Sequence, residues 1–201
     1  MKTFLHVGCG PLNKYNCNGF DNHEWNEIRL DIDESVGPDI VGTLTNMSLV
    51  ETESVDAIYS SHNIEHIFTH EVPIALNEFY RVLSTDGFVV ITCPDLQSVG
   101  EAISQDKLYE PLYDSSMGPV SAFDILYGHR ETTTDGNIFM VHKGGFTYST
   151  LDKAFHDAGF EVRVGGRRPE AFDLFLVAFK KDKSESEIKD IALKFIPDPQ
   201  F

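Results

Sequence analysis

The stretch Thr3-Phe4-Leu5-His6-Val7-Gly8-Cys9-Gly10 decides the fold. Thr3 to Val7 reads as a short buried strand, and the glycines end it in a turn. Glycine after a strand lets the backbone come close to a ligand, because no Cβ stands in the way. The dinucleotide fingerprint needs a third glycine at position 13, and Asn13 stands there, so nicotinamide cofactors are disfavoured. Pro11 to Gly19 is rich in Asn, Pro and Gly. That composition predicts a loop, with at most a poor helix, where a first helix would follow the turn.

Outward from this turn, strand and helix patterns alternate. Glu27 to Ile32 is a second strand, Asp39 to Val41 a short third and Ser54 to Tyr59 a fourth. Val72, Ala75, Leu76, Phe79, Val82 and Leu83 recur at spacings of three and four, which predicts an amphipathic helix. Asp86-Gly87 reads as a turn, and Phe88 to Cys93 is a continuous apolar run suited to a buried parallel strand. A helix runs from Ser149 to Ala158 and stops at Gly159, before strands at Phe160 to Val164 and Phe172 to Phe179. This alternation predicts an α/β sheet with crossover connections. One domain over residues 1–201 suits the length. Residues 97–145 are aromatic and irregular, and a connection that long inside a domain is usually functional. They are read as a substrate-side insertion or cover, and residues 181–201 as a charged C-terminal tail.

Charge narrows the partners. The chain has 32 acidic and 16 basic residues, a formal net charge of −16. Such a chain repels phosphate backbones, so nucleic acid is an unfavoured partner and a small-molecule substrate the expected one. Residues 1–100 hold 15 acids and 4 bases, whereas residues 101–201 hold 17 and 12. An anionic ligand is better sought in the second half. Three cysteines, Cys9, Cys17 and Cys93, make no disulfide framework. The opening apolar stretch is too short for a signal peptide, and no stretch is long enough to span a bilayer. A reducing cytoplasm and no membrane are expected.

Asp31 ends the second strand about 20 residues after the glycine turn, where a carboxylate can accept both hydroxyls of a ribose. Alone it could equally be a surface acid of an acidic chain. Taken together, several segments resemble the class I S-adenosylmethionine (SAM)-dependent methyltransferases, in particular the type-11-like group with an LNLGCG opening. The carrying segments are Leu5 to Gly10, Leu30 to Asp33, Val55 to His66, Glu78 to Leu83 and Gly87 to Ile91. A last echo lies in His142-Lys143 to Gly145-Phe146 and Ala158 to Phe160. The resemblance implies a Rossmann-like fold whose seven-stranded sheet is mostly parallel, with an antiparallel last strand. It implies an enzyme that transfers a methyl group from SAM to an acceptor the sequence does not name. It further implies that Gly8, Cys9 and Gly10 pass under the methionine part of SAM, with Asp31 on the ribose and Ile32 against the adenine. Thr43 and Leu44 fall where the family places an adenine-binding acid and its neighbour. Ser60, Ser61 and His62 follow the fourth strand, where cofactor and substrate meet. His6 occupies a cofactor-binding slot that often carries an acid or Asn.

The sulfonium methyl is already activated, so alignment matters most. A base helps only if the acceptor is a hydroxyl or an amine, and His62 or His66 could supply it. His66 could equally be a packed structural histidine. Tyr127, His129, His142 and Lys143, in or beside the irregular segment, are candidate substrate contacts. Two rival readings stand. His62-Asn63-Ile64-Glu65-His66 matches an HxxEH zinc-hydrolase pattern, with His66 and His70 as a further i, i+4 pair. No downstream acid completes it, and no metal is assigned. The other rival is a catalytically silent SAM- or nucleotide-binding module.

Overall fold

The structure is a computed structural model that describes residues 1–115, 118–134 and 136–196. Its main sheet has seven strands: β1 (Lys2–Val7), β2 (Trp25–Asp31), β3 (Ile40–Val41), β4 (Val55–Ser61), β5 (Leu83–Pro94), β8 (Val162–Arg168) and β9 (Asp173–Phe179). Their spatial order is β3-β2-β1-β4-β5-β9-β8. Neighbouring pairs from β3 to β5 are parallel, and β9 runs antiparallel to both β5 and β8. This is the mostly parallel seven-stranded sheet that the resemblance implies, with β9 its antiparallel last strand.

Side chains alternate across the strands and divide the core into two layers. Leu5 and Val7 point to one face, where α1 (Val72–Val82) and α5 (Tyr148–Asp157) cover them with Leu76, Phe79, Leu151 and Phe155. Phe4 points to the other face, into a cluster with Phe20, Trp25, Phe88 and Phe195. No α-helix follows β1; one turn of 3-10 helix, Lys14–Asn16, interrupts the loop. Phe20 fills the space above the sheet, its ring 4.2 Å from Phe4 and 4.5 Å from Phe195.

Three expectations are corrected. Asp86-Gly87 is not a free turn: β5 begins at Leu83, and its pairing with β4 shifts register between Val55 and Ala57. The stretch 97–145, read as irregular, holds regular elements. It follows the start of α2 (Leu96–Ser104), whose Asp95 cap accepts from the Gln97 amide, and contains the hairpin β6 (Pro111–Ser115) and β7 (Gly118–Ser121). It then forms α3 (Ala122–Tyr127) and α4 (Arg130–Thr134), with Val99, Val120, Ala122 and Ile125 in a small core of their own. Elements this short escape a periodicity test. The charged tail is largely helical: α6 (Glu185–Phe195) begins at the Ser184 cap and buries Ala192 and Phe195 against the Phe20 layer. Residues 197–201 of that tail lie outside the described residues.

Candidate functional site

A cavity of about 310 Å³ opens at the carboxyl ends of β1, β2 and β4, which is where parallel sheets hold their ligands. Val7, Gly8, Gly10 and Asp31 are among its lining residues. Gly8 has φ +66°, and a Cβ there would overlap the amide of Asn63. Asp31 is buried. One of its oxygens accepts from the Gly10 amide at 2.7 Å and the other from the Asp33 amide at 2.9 Å. The carboxylate thus draws the glycine turn and the following loop around itself, and each oxygen keeps capacity for a further donor.

Arg29 replaces the missing first helix as the scaffold of this turn. Its guanidinium donates to the carbonyls of Gly10 (2.7 Å) and Leu12 (3.0 Å) on one side and Gly37 (2.8 Å) on the other. The opposite wall comes from Ile32, just after β2, and from the β3–β4 loop, with Thr43 and Leu44 on the cavity. That loop is fixed by α1: Glu78 accepts from the Met47 amide (2.7 Å), and Arg81 donates to the carbonyls of Val50 and Met47 (both 2.9 Å). The Glu78 to Leu83 segment is therefore scaffold for the pocket wall. Arg81, at 2.6 Å, holds the Glu78 carboxyl below its usual range.

His62 and His66 reach the cavity, together with Lys143 and Phe139 from the later segment. His62 sits in the left-handed region at φ +48°. Its ring stands 3.6 Å from Glu65 and 3.8 Å from Asp173, and is 48% exposed. Burial pulls its pKa down, but attraction to Asp173 and Glu65 outweighs this and pushes it up to about 9. It is an imidazolium between two carboxylates and not the free base the sequence allows. Glu65 is fully enclosed. Burial raises its pKa, yet His62, with His66 and His142 behind it, brings it below the ordinary value. The HxxEH residues do not share a helix face, because residues 64–66 form a single 3-10 turn and His62 turns toward Asp173. His70 stacks on Phe68, outside that cluster.

Of the residues picked from the sequence, Gly8, Gly10, Asp31, Ile32, Thr43, Leu44, His62, His66 and Lys143 come together on one cavity. Others do not. His6 points to the opposite face, where Nδ1 pairs with Glu27 at 2.8 Å and the ring meets Tyr59. Strand alternation carries it away from the pocket that Val7 lines. Cys9 is buried, and burial pushes its thiol up to about 11. Ser60 is enclosed, and Ser61 shares a hydrogen bond with Thr92 at 2.7 Å. Tyr127 is exposed and packs on Phe123, His129 meets Thr132, and His142 lies behind the cavity wall. Asn63 and Asn137 are pocket residues that sequence reasoning missed, whereas Phe139 is one of the aromatics of 97–145 expected to exclude water. The tightness of Gly8 against Asn63 is invisible without the tertiary fold.

The sheet order and the glycine turn define a Rossmann-like fold of the class I methyltransferase type. Residues 5–91 match the family described as methyltransferase domain. No curated protein sequence matches the chain. Among solved structures it is similar to the PH0226 protein of Pyrococcus horikoshii OT3 (TM-score 0.60, 15% identity, covering 90% of this chain and 82% of that one). It is also similar to a candidate S-adenosylmethionine-dependent methyltransferase of Listeria monocytogenes (0.56, 16%, 90% of each). A third is a SAM-dependent methyltransferase of Thermotoga maritima, described as a possible histamine N-methyltransferase (0.51, 16%, 90% and 83%). At these identities the structures attest the fold. The cofactor of this family and fold is S-adenosylmethionine. The residues present fit it: a left-handed glycine closes the turn, and a buried carboxylate stands beside it with spare acceptor capacity.

Proposed function

We propose that this chain transfers a methyl group from SAM to a small-molecule acceptor. The observation that carries the reading is Asp31, buried at the base of the cavity with one oxygen on the Gly10 amide and both oxygens still able to accept. In this reading Asp31 holds the ribose hydroxyls. Ile32, Thr43 and Leu44 line the adenine side, and Gly8 and Gly10 leave room for the methionine end. SAM supplies a methyl group already activated on sulfonium. The chain's part is alignment and exclusion of water. Phe139 and Met140 supply apolar wall on the side facing His66, while Lys143 and Asn137 offer polar contacts there. The acceptor enters on that side, and His66, rather than the carboxylate-flanked His62, is the histidine that meets it. Residues 1–201 then act as one domain, with 97–145 supplying the acceptor wall through 137–143. The three cysteines are free and buried, which supports a reducing compartment such as the cytoplasm. Among the described residues no helix is long and apolar enough to cross a membrane.

Calorimetry with SAM, its demethylated product and NAD tests the reading. SAM and the product should bind and NAD should not. No heat with SAM or its product would overturn it.

A further inference from the structure

Glu65 is 1% exposed, and neither of its carboxylate oxygens has a hydrogen-bond partner among the described residues. Its ion-pair contact is His62 Nδ1 at 3.6 Å, too long for a hydrogen bond; a buried carboxylate so sparsely satisfied is costly, and a folded chain keeps one only where something more compensates it. The neighbours of Glu65 suggest what does. One ligand atom from each of Glu65, His66 and His142 lies within 4.8 Å of the others. The two imidazole rings meet edge to face at 4.8 Å.

Both histidines are oriented from behind. His142 Nδ1 is 2.7 Å from the Ile125 carbonyl, and His66 Nδ1 is 3.2 Å from the Val141 carbonyl. A carbonyl only accepts, so each Nδ1 carries the proton, and in the neutral ring the lone pair is on Nε2. No hydrogen bond reaches either Nε2 among the described residues. A backbone carbonyl fixing one ring nitrogen while the other stays free is the usual support of a metal-binding histidine. The backbone is also tied in advance. The amides of Lys143 and Gly144 both donate to the Glu65 carbonyl, at 2.8 and 3.1 Å, so residue 142 is held against residue 65.

A second group, His6, Cys17 and Glu27, is as compact but already satisfied: Glu27 accepts from His6 at 2.8 Å and from the Lys14 amide at 2.8 Å. Of these two groups among the described residues, the Glu65 group is the one whose carboxylate makes no hydrogen bond.

We infer that Glu65, His66 and His142 form a binding site for one divalent cation of the zinc class. Two imidazoles and one carboxylate are a donor set of that class, and three protein ligands leave a position open. Ligand distances of about 2.0–2.2 Å ask only a modest closing of the three side chains. His66 lines the cavity, whereas Glu65 and His142 are not among its lining residues, so the site lies beside the cavity. The third ligand is not the downstream acid that a zinc-hydrolase pattern calls for. It is His142, brought across from the far segment, so HxxEH hydrolysis is not implied.

The test uses the full chain, stripped with chelator and titrated with Co²⁺ and then Zn²⁺ without SAM, so its outcome is separate from that of cofactor binding. One equivalent of Co²⁺ should give the visible bands of a four- or five-coordinate site, and Zn²⁺ should abolish them. Glu65→Gln and His142→Ala should each weaken Co²⁺ binding about tenfold or more. His70→Ala, a histidine outside the cluster, should leave it unchanged. Circular dichroism separates lost binding from lost folding, and the wild-type titration stands whether or not His142→Ala folds. Absence of the one-equivalent bands in the wild type would overturn the site. So would wild-type affinity in folded Glu65→Gln, or loss of binding in His70→Ala.

Discussion

Asp31 has amide donors on both oxygens before any ligand arrives, and this sets what its removal does. Asp31→Ala takes away the ribose contact and also frees the Gly10 and Asp33 amides. A lost partner in a buried hydrogen bond costs roughly 1–3 kcal/mol, so SAM should bind roughly 5- to 150-fold more weakly. Calorimetry on the folded variant checks this, and unchanged affinity would remove Asp31 from the cofactor site. Gly8 is the other residue with little freedom. Its φ of +66° disfavours any L side chain, and its neighbour Asn63 occupies the space a Cβ would take.

At the scale of elements, helices hold the pocket through their side chains as much as through packing. The Glu78–Arg81 pair on α1 carries the loop that presents Thr43 and Leu44. Glu78 has its pKa lowered by Arg81 and by the Met47 amide. A carboxyl depressed in the folded state adds stability that is present above its unfolded pKa. That stability is lost as pH falls through the folded value. Glu78→Gln should therefore be less stable than the wild type near pH 7, by about 1–2 kcal/mol. The gap should close as pH drops below the ordinary carboxyl range. Thermal melts between neutral and acid pH decide it, and a pH-independent gap would show that the charge is not what matters.

Across the whole molecule, the face of the sheet that lacks a first helix is closed by parts distant in sequence. Phe195, from the C-terminal helix, packs 5.0 Å from Phe88 on β5 and 4.5 Å from Phe20 in the loop after β1. The three rings bind the two ends of the chain across the sheet. Truncating a buried phenylalanine to alanine removes both burial and packing, at a cost of about 3–5 kcal/mol. Phe195→Ala should lower unfolding stability by that order in a urea titration, although the residue is far from the cavity. A loss below about 1 kcal/mol would mean that α6 is an accessory to this face.

Composition and periodicity were enough for the sheet strands around Val7 and Ile91, because burial on both faces needs apolar runs. They were enough, too, for the glycine turn and for Asp31, because a close backbone approach and a strand-end carboxylate are local requirements. Helix α2, the β6–β7 hairpin and α6 were not legible. The hairpin strands are short, and the apolar faces of the helices make sense only against Val120, Phe172 or Phe20, which the chain brings up from elsewhere. The same holds for the side chains that meet at long range. Strand alternation turned His6 to the far face, and the backbone bonds from Lys143 and Gly144 to Glu65 set His142 beside His66. Which residues share a space is decided by tertiary contacts, because the groups that satisfy or orient a buried polar side chain lie far from it in sequence.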